Sequence, residues 1–127
     1  MFSVKIFGEH VHLSKQDGVA FSLAQSTIFR GTQQRWRRVT LGPLELRLTT
    51  ALIVGSVNGH SFQLNEMIDV LWIDCEEGGP DLADRAVYAL LHRLRKKLQP
   101  LALRIARNSG YRHYIAVDPL WTSKVAA

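Results

Sequence analysis

Apolar and polar residues alternate with a period near two over residues 2 to 40, and with helical spacing after that. Phe2–Phe7 alternates, Gly8-Glu9 can turn it into His10–Leu13, and Asp17-Gly18 is a turn dipeptide ahead of Val19–Leu23. Thr27–Arg30 and Arg35–Thr40 flank a Gly31–Gln34 turn, so this region predicts three to five short antiparallel strands. Gly42-Pro43 then opens a helix, because proline is tolerated at the first helical position. Leu44, Leu48, Ala51 and Leu52 continue it, and Asn58-Gly59 ends it. Leu64, Met67, Ile68, Leu71 and Trp72 form a full apolar stripe on a second helix. Ile73–Pro80, with Gly78-Gly79-Pro80 and three acids, reads as a loop.

A third helix is predicted from about Leu82 to Leu98, capped by Asp81 or Asp84 and stopped by Pro100. Val87, Leu90, Leu91, Leu94 and Leu98 make its apolar face. Arg85, Ala89, His92, Arg93 and Lys96 occupy the opposite face. Leu103–Arg107 and Tyr111–Val117 read as two strands joined at Asn108-Ser109-Gly110, and the tail from Asp118 reads as loose. The order of sheet, three helices and hairpin is that of an α+β domain, and 127 residues fit one domain with its own core.

Charge changes this picture more than composition does. The net charge is +5, a weak pointer to a polyanion. Its distribution is sharper. Seven acids and no Lys or Arg lie between Glu66 and Asp84, while eight Lys/Arg and no acid lie between Arg85 and His113. A surface that only needs solubility intersperses its signs, so the segregation suggests two surfaces with two partners. Arg30, Arg35, Arg37 and Arg38 make a second basic cluster, read as a solvated strand face or as extra phosphate contacts. The single cysteine, Cys75, cannot form an internal disulfide, no apolar run is long enough to span a membrane, and no signal peptide is evident. A cytoplasmic protein is expected. His10, His12, His60 and His113 lack metal-ligand spacing, and no nucleophile elbow, zinc-protease motif, P-loop or dinucleotide-binding glycine pattern occurs. Neither an enzyme nor a cofactor is expected.

A helix with a narrow apolar seam and a basic outer face can lie in the DNA major groove, where arginine reads guanine edges and lysine or arginine meets phosphate. Ala86 and Ala89 are small enough to let the backbone approach the bases, and a slim hairpin carrying Arg107 can enter the minor groove. Asp84–Leu98 resembles the recognition helix of OmpR/PhoB-type response regulators, and Arg104–Arg112 resembles their wing, with its Gly-Tyr-Arg ending. Leu41–Leu46 is similar to the segment that opens the family's first helix, and Leu64–Trp72 to its positioning helix. The resemblance covers about residues 20 to 117 and implies a winged helix-turn-helix. Residues 1–40 would form an N-terminal antiparallel β-sheet, 41–98 three helices, 103–117 a C-terminal β-hairpin wing and 118–127 a tail.

The resemblance also implies roles. Arg85, Ala86, Ala89, His92 and Arg93 fall where the family contacts the major groove, Arg95 and Trp72 where it touches phosphates. Arg107 falls where the wing enters the minor groove, and Tyr111 near the DNA backbone. Trp72 and Tyr111 equally suit core packing. The Ile73–Leu82 loop, with Asp74, Glu76, Glu77 and Asp81, corresponds to the loop that meets RNA polymerase. Several features differ from the family pattern. No phosphoreceiver domain is expected ahead of the module, where an extra β segment, Met1 to about Lys15, is read instead. His92 and Tyr88 are unusual at their positions, helix two lacks a serine cap near Gln63, and the acidic loop is longer. The expected function is a transcriptional regulator of bacterial or phage type that binds double-stranded DNA, as a homodimer on paired sites. The rival is a protein-interaction module that antagonises or adapts RNA polymerase or another regulator.

Overall fold

The computed structural model describes residues 3–117. Four strands form one sheet in the order β1 (Ser3–Phe7), β2 (Gly18–Ser22), β3 (Thr27–Gly31), β4 (Trp36–Thr40). Helices α1 (Pro43–Val57), α2 (Leu64–Leu71) and α3 (Ala83–Leu98) follow. A short 3₁₀ turn, Gln99–Leu101, leads into the hairpin of β5 (Leu103–Arg107) and β6 (His113–Val117). The tail from Asp118 lies outside the described residues.

The sheet is not antiparallel throughout. β2, β3 and β4 pair antiparallel, but β1 runs parallel to β2, with Ser3 opposite Gly18 and Phe7 opposite Ser22. Parallel neighbours cannot be joined by a hairpin. The chain from Gly8 to Asp17 is therefore a crossover, and His10–Leu13 lies in it without forming the strand its alternation suggested. Gly18 accommodates β1, because a Cβ there would stand 2.8 Å from the Ser3 carbonyl oxygen. Without that glycine the two strand ends would clash.

One hydrophobic cluster joins all the elements. Phe21 and Ile28 from the sheet meet Leu48 and Leu52 of α1, Met67 and Leu71 of α2, and Ile105 and Ile115 of the hairpin. Into this cluster α3 sends Val87, Leu90, Leu91, Leu94 and Leu98, all buried. Each such side chain contributes about 1.5–3 kcal/mol by leaving water.

The helix ends differ from expectation in detail. At α1 the Glu45 carboxylate accepts a hydrogen bond from the Gly42 N–H at 2.7 Å, the return half of a capping box. At α2 the Glu66 carboxylate does the same for the Gln63 N–H at 3.1 Å, and Trp72 is the C-cap. No side chain caps α3: Leu82 occupies the cap position, and neither Asp81 nor Asp84 does so. Asp84 lies in the first turn, where its charge still complements the helix dipole. β6 begins at His113, two residues later than predicted, because Tyr111 adopts a left-handed conformation (φ 58°) inside the turn.

Arg30 is not on the surface with the other sheet arginines; it is 1% exposed. It points to the core side of β3, alternating with the outward Phe29. Its Nη1 donates to the Leu101 and Ala102 carbonyls at 2.7 and 3.0 Å, and its Nη2 pairs with Asp17 at 2.9 Å. Ala102 is left-handed, so the chain turns sharply there and the carbonyls need a donor. Arg30 thus ties the sheet to the turn that launches the hairpin. Arg30→Ala should lose about 3–5 kcal/mol of unfolding free energy, read from urea denaturation; a loss below about 1 kcal/mol would show that the buried pair holds nothing.

Candidate nucleic-acid interface

α3 has one buried seam, and the rest of its surface is polar. Arg85, Ala89, His92 and Lys96 are exposed along the side opposite the seam. Arg93, exposed, and Ala86, half-buried, flank this stripe on one side, and the exposed Arg95 and Tyr88 on the other. No acid follows Asp84 on the helix. The arrangement gives a continuous basic ridge interrupted only by small or aromatic side chains.

The flank toward α1 is electrostatically tied. Glu45 is nearly buried, and its carboxylate accepts a 2.7 Å hydrogen bond from Lys97 Nζ while Arg93 Nε stands 3.8 Å away. Burial pushes the Glu45 pKa up. The Lys97 and Gly42 hydrogen bonds and the charges of Lys97 and Arg93 outweigh that and hold the carboxyl below its usual range. Arg93 remains 60% exposed, so it keeps reach to a ligand while part of its charge is balanced. Sequence reasoning missed Glu45, although an acid three residues after a Gly-Pro start is a recognisable capping signal.

The flank toward the hairpin is fixed by Arg112. Its Nη2 donates to the Ser61 carbonyl and to Glu66 Oε1, both at 2.9 Å, and its Nε donates to Ser61 Oγ at 3.2 Å. Beside it Phe62 and His113 exchange backbone hydrogen bonds at 2.7 and 2.8 Å. The Gln63 N–H, against a smaller effect of burial and with help from His60 and Arg112, keeps the Glu66 carboxyl below its usual range. The hairpin is therefore bolted to the entry of α2. His113 is buried, with Nδ1 unpartnered among the described residues. Burial, then the charges of Arg95 and Arg107, lowers its pKa and favours the neutral ring despite the Phe62 backbone bond.

At the hairpin tip the Asn108 side chain accepts from the Gly110 and Arg112 amides at 3.0 and 3.1 Å, closing a turn longer than the predicted three residues. Tyr111 is 71% exposed and takes no part in the core. The Arg107 guanidinium lies 5.1 Å from its ring centroid, a cation–π contact that holds the arginine outward on the tip. Trp72, by contrast, is half-buried against the core. Gly79 (φ 104°) folds over its indole so closely that a Cβ would meet the ring at 2.8 Å.

The acidic loop separates into an anchor and a free edge. Asp74 pairs with Arg47 at 3.2 Å, and Arg47 also donates to the Leu71 carbonyl at 2.7 Å, closing the end of α2. The Arg47 hydrogen bond and charge lower the Asp74 pKa. Glu76, Glu77 and Asp81 are exposed and make no ion pair among the described residues. No cluster of His, Cys, Asp or Glu among the described residues could hold a metal, and no helix among them is long and apolar enough to cross a membrane.

No protein-family model and no curated protein sequence matches the chain. A solved structure does: the DNA-binding domain of the response regulator AdeR, determined in complex with an intercistronic region. It superimposes with a TM-score of 0.56 over 76% of this chain and 92% of that one, at 14% identity. The fold is a winged helix. At that identity the likeness speaks for architecture alone, a winged helix in which α3 is the third helix and β5–β6 the hairpin wing. The winged helix brings the predicted Arg85, Ala89, His92, Arg93, Arg95 and Lys96 together on α3, and places Arg107 and Tyr111 on the wing beside them.

The Glu45 pairing has a pH signature. Its folded pKa is lowered, so its stabilising contribution is present above the ordinary value of 4.5 and is lost as pH falls through the folded value. Glu45→Gln should therefore destabilise the winged helix at pH 7 and much less at pH 3. Urea midpoints for both proteins at both pH values check this; an equal gap at the two would refute it.

Proposed function

We propose that this winged helix is a sequence-specific DNA-binding transcriptional regulator of bacterial or phage type. One observation carries the reading: an acid-free basic helix face lies beside a cationic wing tip, and both are rigidly anchored to the same core. In this reading α3 enters the major groove. Arg85, His92 and Arg93 address base edges, Ala86 and Ala89 allow close approach, and Arg95, Lys96 and Trp72 meet phosphates. Arg107 enters the minor groove, where its negative potential favours arginine, with Tyr111 against the backbone. Two copies on paired sites would extend the contact. The fold likeness to a DNA-binding domain supports the reading, as does the absence of any pairing acid for Arg85, Lys96 and Arg107 among the described residues.

The free acidic edge favours a second partner for the same regulator. Glu76, Glu77 and Asp81 project from a loop anchored at both Asp74 and Gly79. A rigid, exposed, unpaired anionic loop suits a basic protein surface, on RNA polymerase or on another regulator, and not DNA.

DNA titrations over a salt series test the first reading. Arg85→Ala and Arg107→Ala should each weaken binding about 5- to 150-fold and flatten the salt slope by about one. Arg93→Ala should flatten it less, because Glu45 already balances part of its charge. Unchanged affinity in the first two variants would remove the site assignment. For the second reading, neutralising Glu76, Glu77 and Asp81 together should leave DNA affinity unreduced while abolishing regulation in a reconstituted transcription assay; undiminished regulation would dismiss the loop as a contact.

A further inference from the structure

The parallel pairing of β1 has a consequence on the side of the sheet away from the helices. The Gly8–Asp17 crossover passes over that outer face and is pinned to the β3–β4 turn by a 2.7 Å hydrogen bond from the Gln33 N–H to the Ser14 carbonyl. The His12 ring meets Phe7 edge-on at 6.0 Å. Between crossover and sheet lies a cleft of about 420 Å³. Phe29 and Trp36 line it, with ring centroids 5.7 Å apart and planes tilted by 53°. Arg38, the next outward residue after Trp36 on β4 and the register partner of Phe29, stands on the same wall. Gln25, Gln33, His10 and Glu9 are on the rim, and Val11–Leu13 of the crossover form the facing wall.

Among the described residues, the Arg38 guanidinium, the side-chain amides of Gln25 and Gln33 and the His10 ring make no hydrogen bond or ion pair. Unused donors thus surround an aromatic pair inside a concave space whose accessible lining is more polar than apolar, two rings for stacking and several polar groups for orientation. The charge balance selects the ligand. The lining holds one arginine and one carboxylate, Arg38 and Glu9. A planar guanidinium matches one carboxylate in bidentate fashion, whereas Glu9 repels a second or third negative charge.

We propose that this cleft binds a small aromatic monocarboxylate of one or two rings, its ring against Trp36 and Phe29 and its carboxylate on Arg38. The volume suits such a molecule, and the glutamine amides reach polar substituents. The site lies on the opposite face of the sheet from α3 and shares no residue with the α3 and wing contacts proposed for DNA; Arg38, read from sequence as a solvated or phosphate-contacting arginine, is assigned here to the cleft.

Two-dimensional NMR of the full chain tests it, with indole-3-acetate as probe, indole as the uncharged control and ATP as the polyanion. Indole-3-acetate should give saturable shifts at the Trp36 indole N–H and the Phe29 and Gln33 amides, with a Kd of about 1 mM or tighter. Arg38→Gln should weaken it at least about tenfold and leave indole unchanged. Gln33→Ala, a change on an exposed turn, should weaken indole-3-acetate by a smaller factor. No saturable shift at these residues, equal affinity in Arg38→Gln, or tighter binding of ATP would each overturn the proposal. Should Arg38→Gln fail to fold, Glu9→Gln decides: affinity equal or higher supports the site, and lost affinity refutes it.

Discussion

The architecture depends on how α3 is buried. Five apolar side chains, Val87, Leu90, Leu91, Leu94 and Leu98, occupy the single seam that a helix of this length presents to one core. Everything else on it is polar or small after Asp84. Burial of the seam at about 1.5–3 kcal/mol per side chain leaves the helix no freedom to rotate about its axis. A turn of one residue would bury Arg95 in one sense, or Arg93 and Lys97 in the other, and expose leucine. The hydrophobic effect alone therefore fixes which residues face outward, and the basic ridge needs no other device to be presented.

Presentation is not the same as positioning, and polar anchors supply that. Glu45 binds the start of α1 to the flank of α3, Arg112 binds the wing to the start of α2, and Arg30 binds the sheet to the turn before β5. Arg30 and Glu45 are buried and Arg112 is partly so, and each is satisfied by several partners, the condition under which burial of charge is tolerable. Together they join the ends of elements, where backbone groups lack partners of their own. Helix and wing are thereby held in one relative orientation. A surface meant to address two adjacent grooves needs that rigidity more than it needs further charge.

Helices and hairpin were legible because period and punctuation agreed: the apolar stripes of α2 and α3, Gly42-Pro43, Asn58-Gly59 and Pro100 all fall at real boundaries. The basic face was legible because charge segregation requires no structural knowledge. What escaped was long-range. Parallel pairing of β1 depends on where a crossover goes, and alternation in His10–Leu13 cannot distinguish a strand from a covering segment. Arg30 sits in a row of arginines, yet strand alternation alone turns it inward, and its partners at Leu101 and Ala102 are seventy-odd residues away in sequence. Arg112 was visible as the end of a Gly-Tyr-Arg motif, but its pairing with Glu66 was not. Pairings between distant residues leave no local period to read.

The segregation of charge acquires a structural meaning once these anchors are known. Among the acids between Glu66 and Asp84, Glu66 and Asp74 are consumed by Arg112 and Arg47 inside the fold. Asp69, Glu76, Glu77, Asp81 and Asp84 make no ion pair among the described residues. On the basic side Arg112 and Lys97 are likewise consumed, while Arg85, Lys96 and Arg107 remain free of acids among the described residues. Sequence counting treats all these charges alike. Subtracting the internal pairs leaves an anionic loop, with Asp69 on α2 and Asp84 in the first turn of α3, and a cationic ridge along the rest of α3. Had the loop been free to fold onto the ridge, its carboxylates would have competed with any polyanion for the same arginines. The loop makes no ion pair with the ridge among the described residues, and its two fixed points are the Asp74–Arg47 pair and the packing of Gly79 on Trp72.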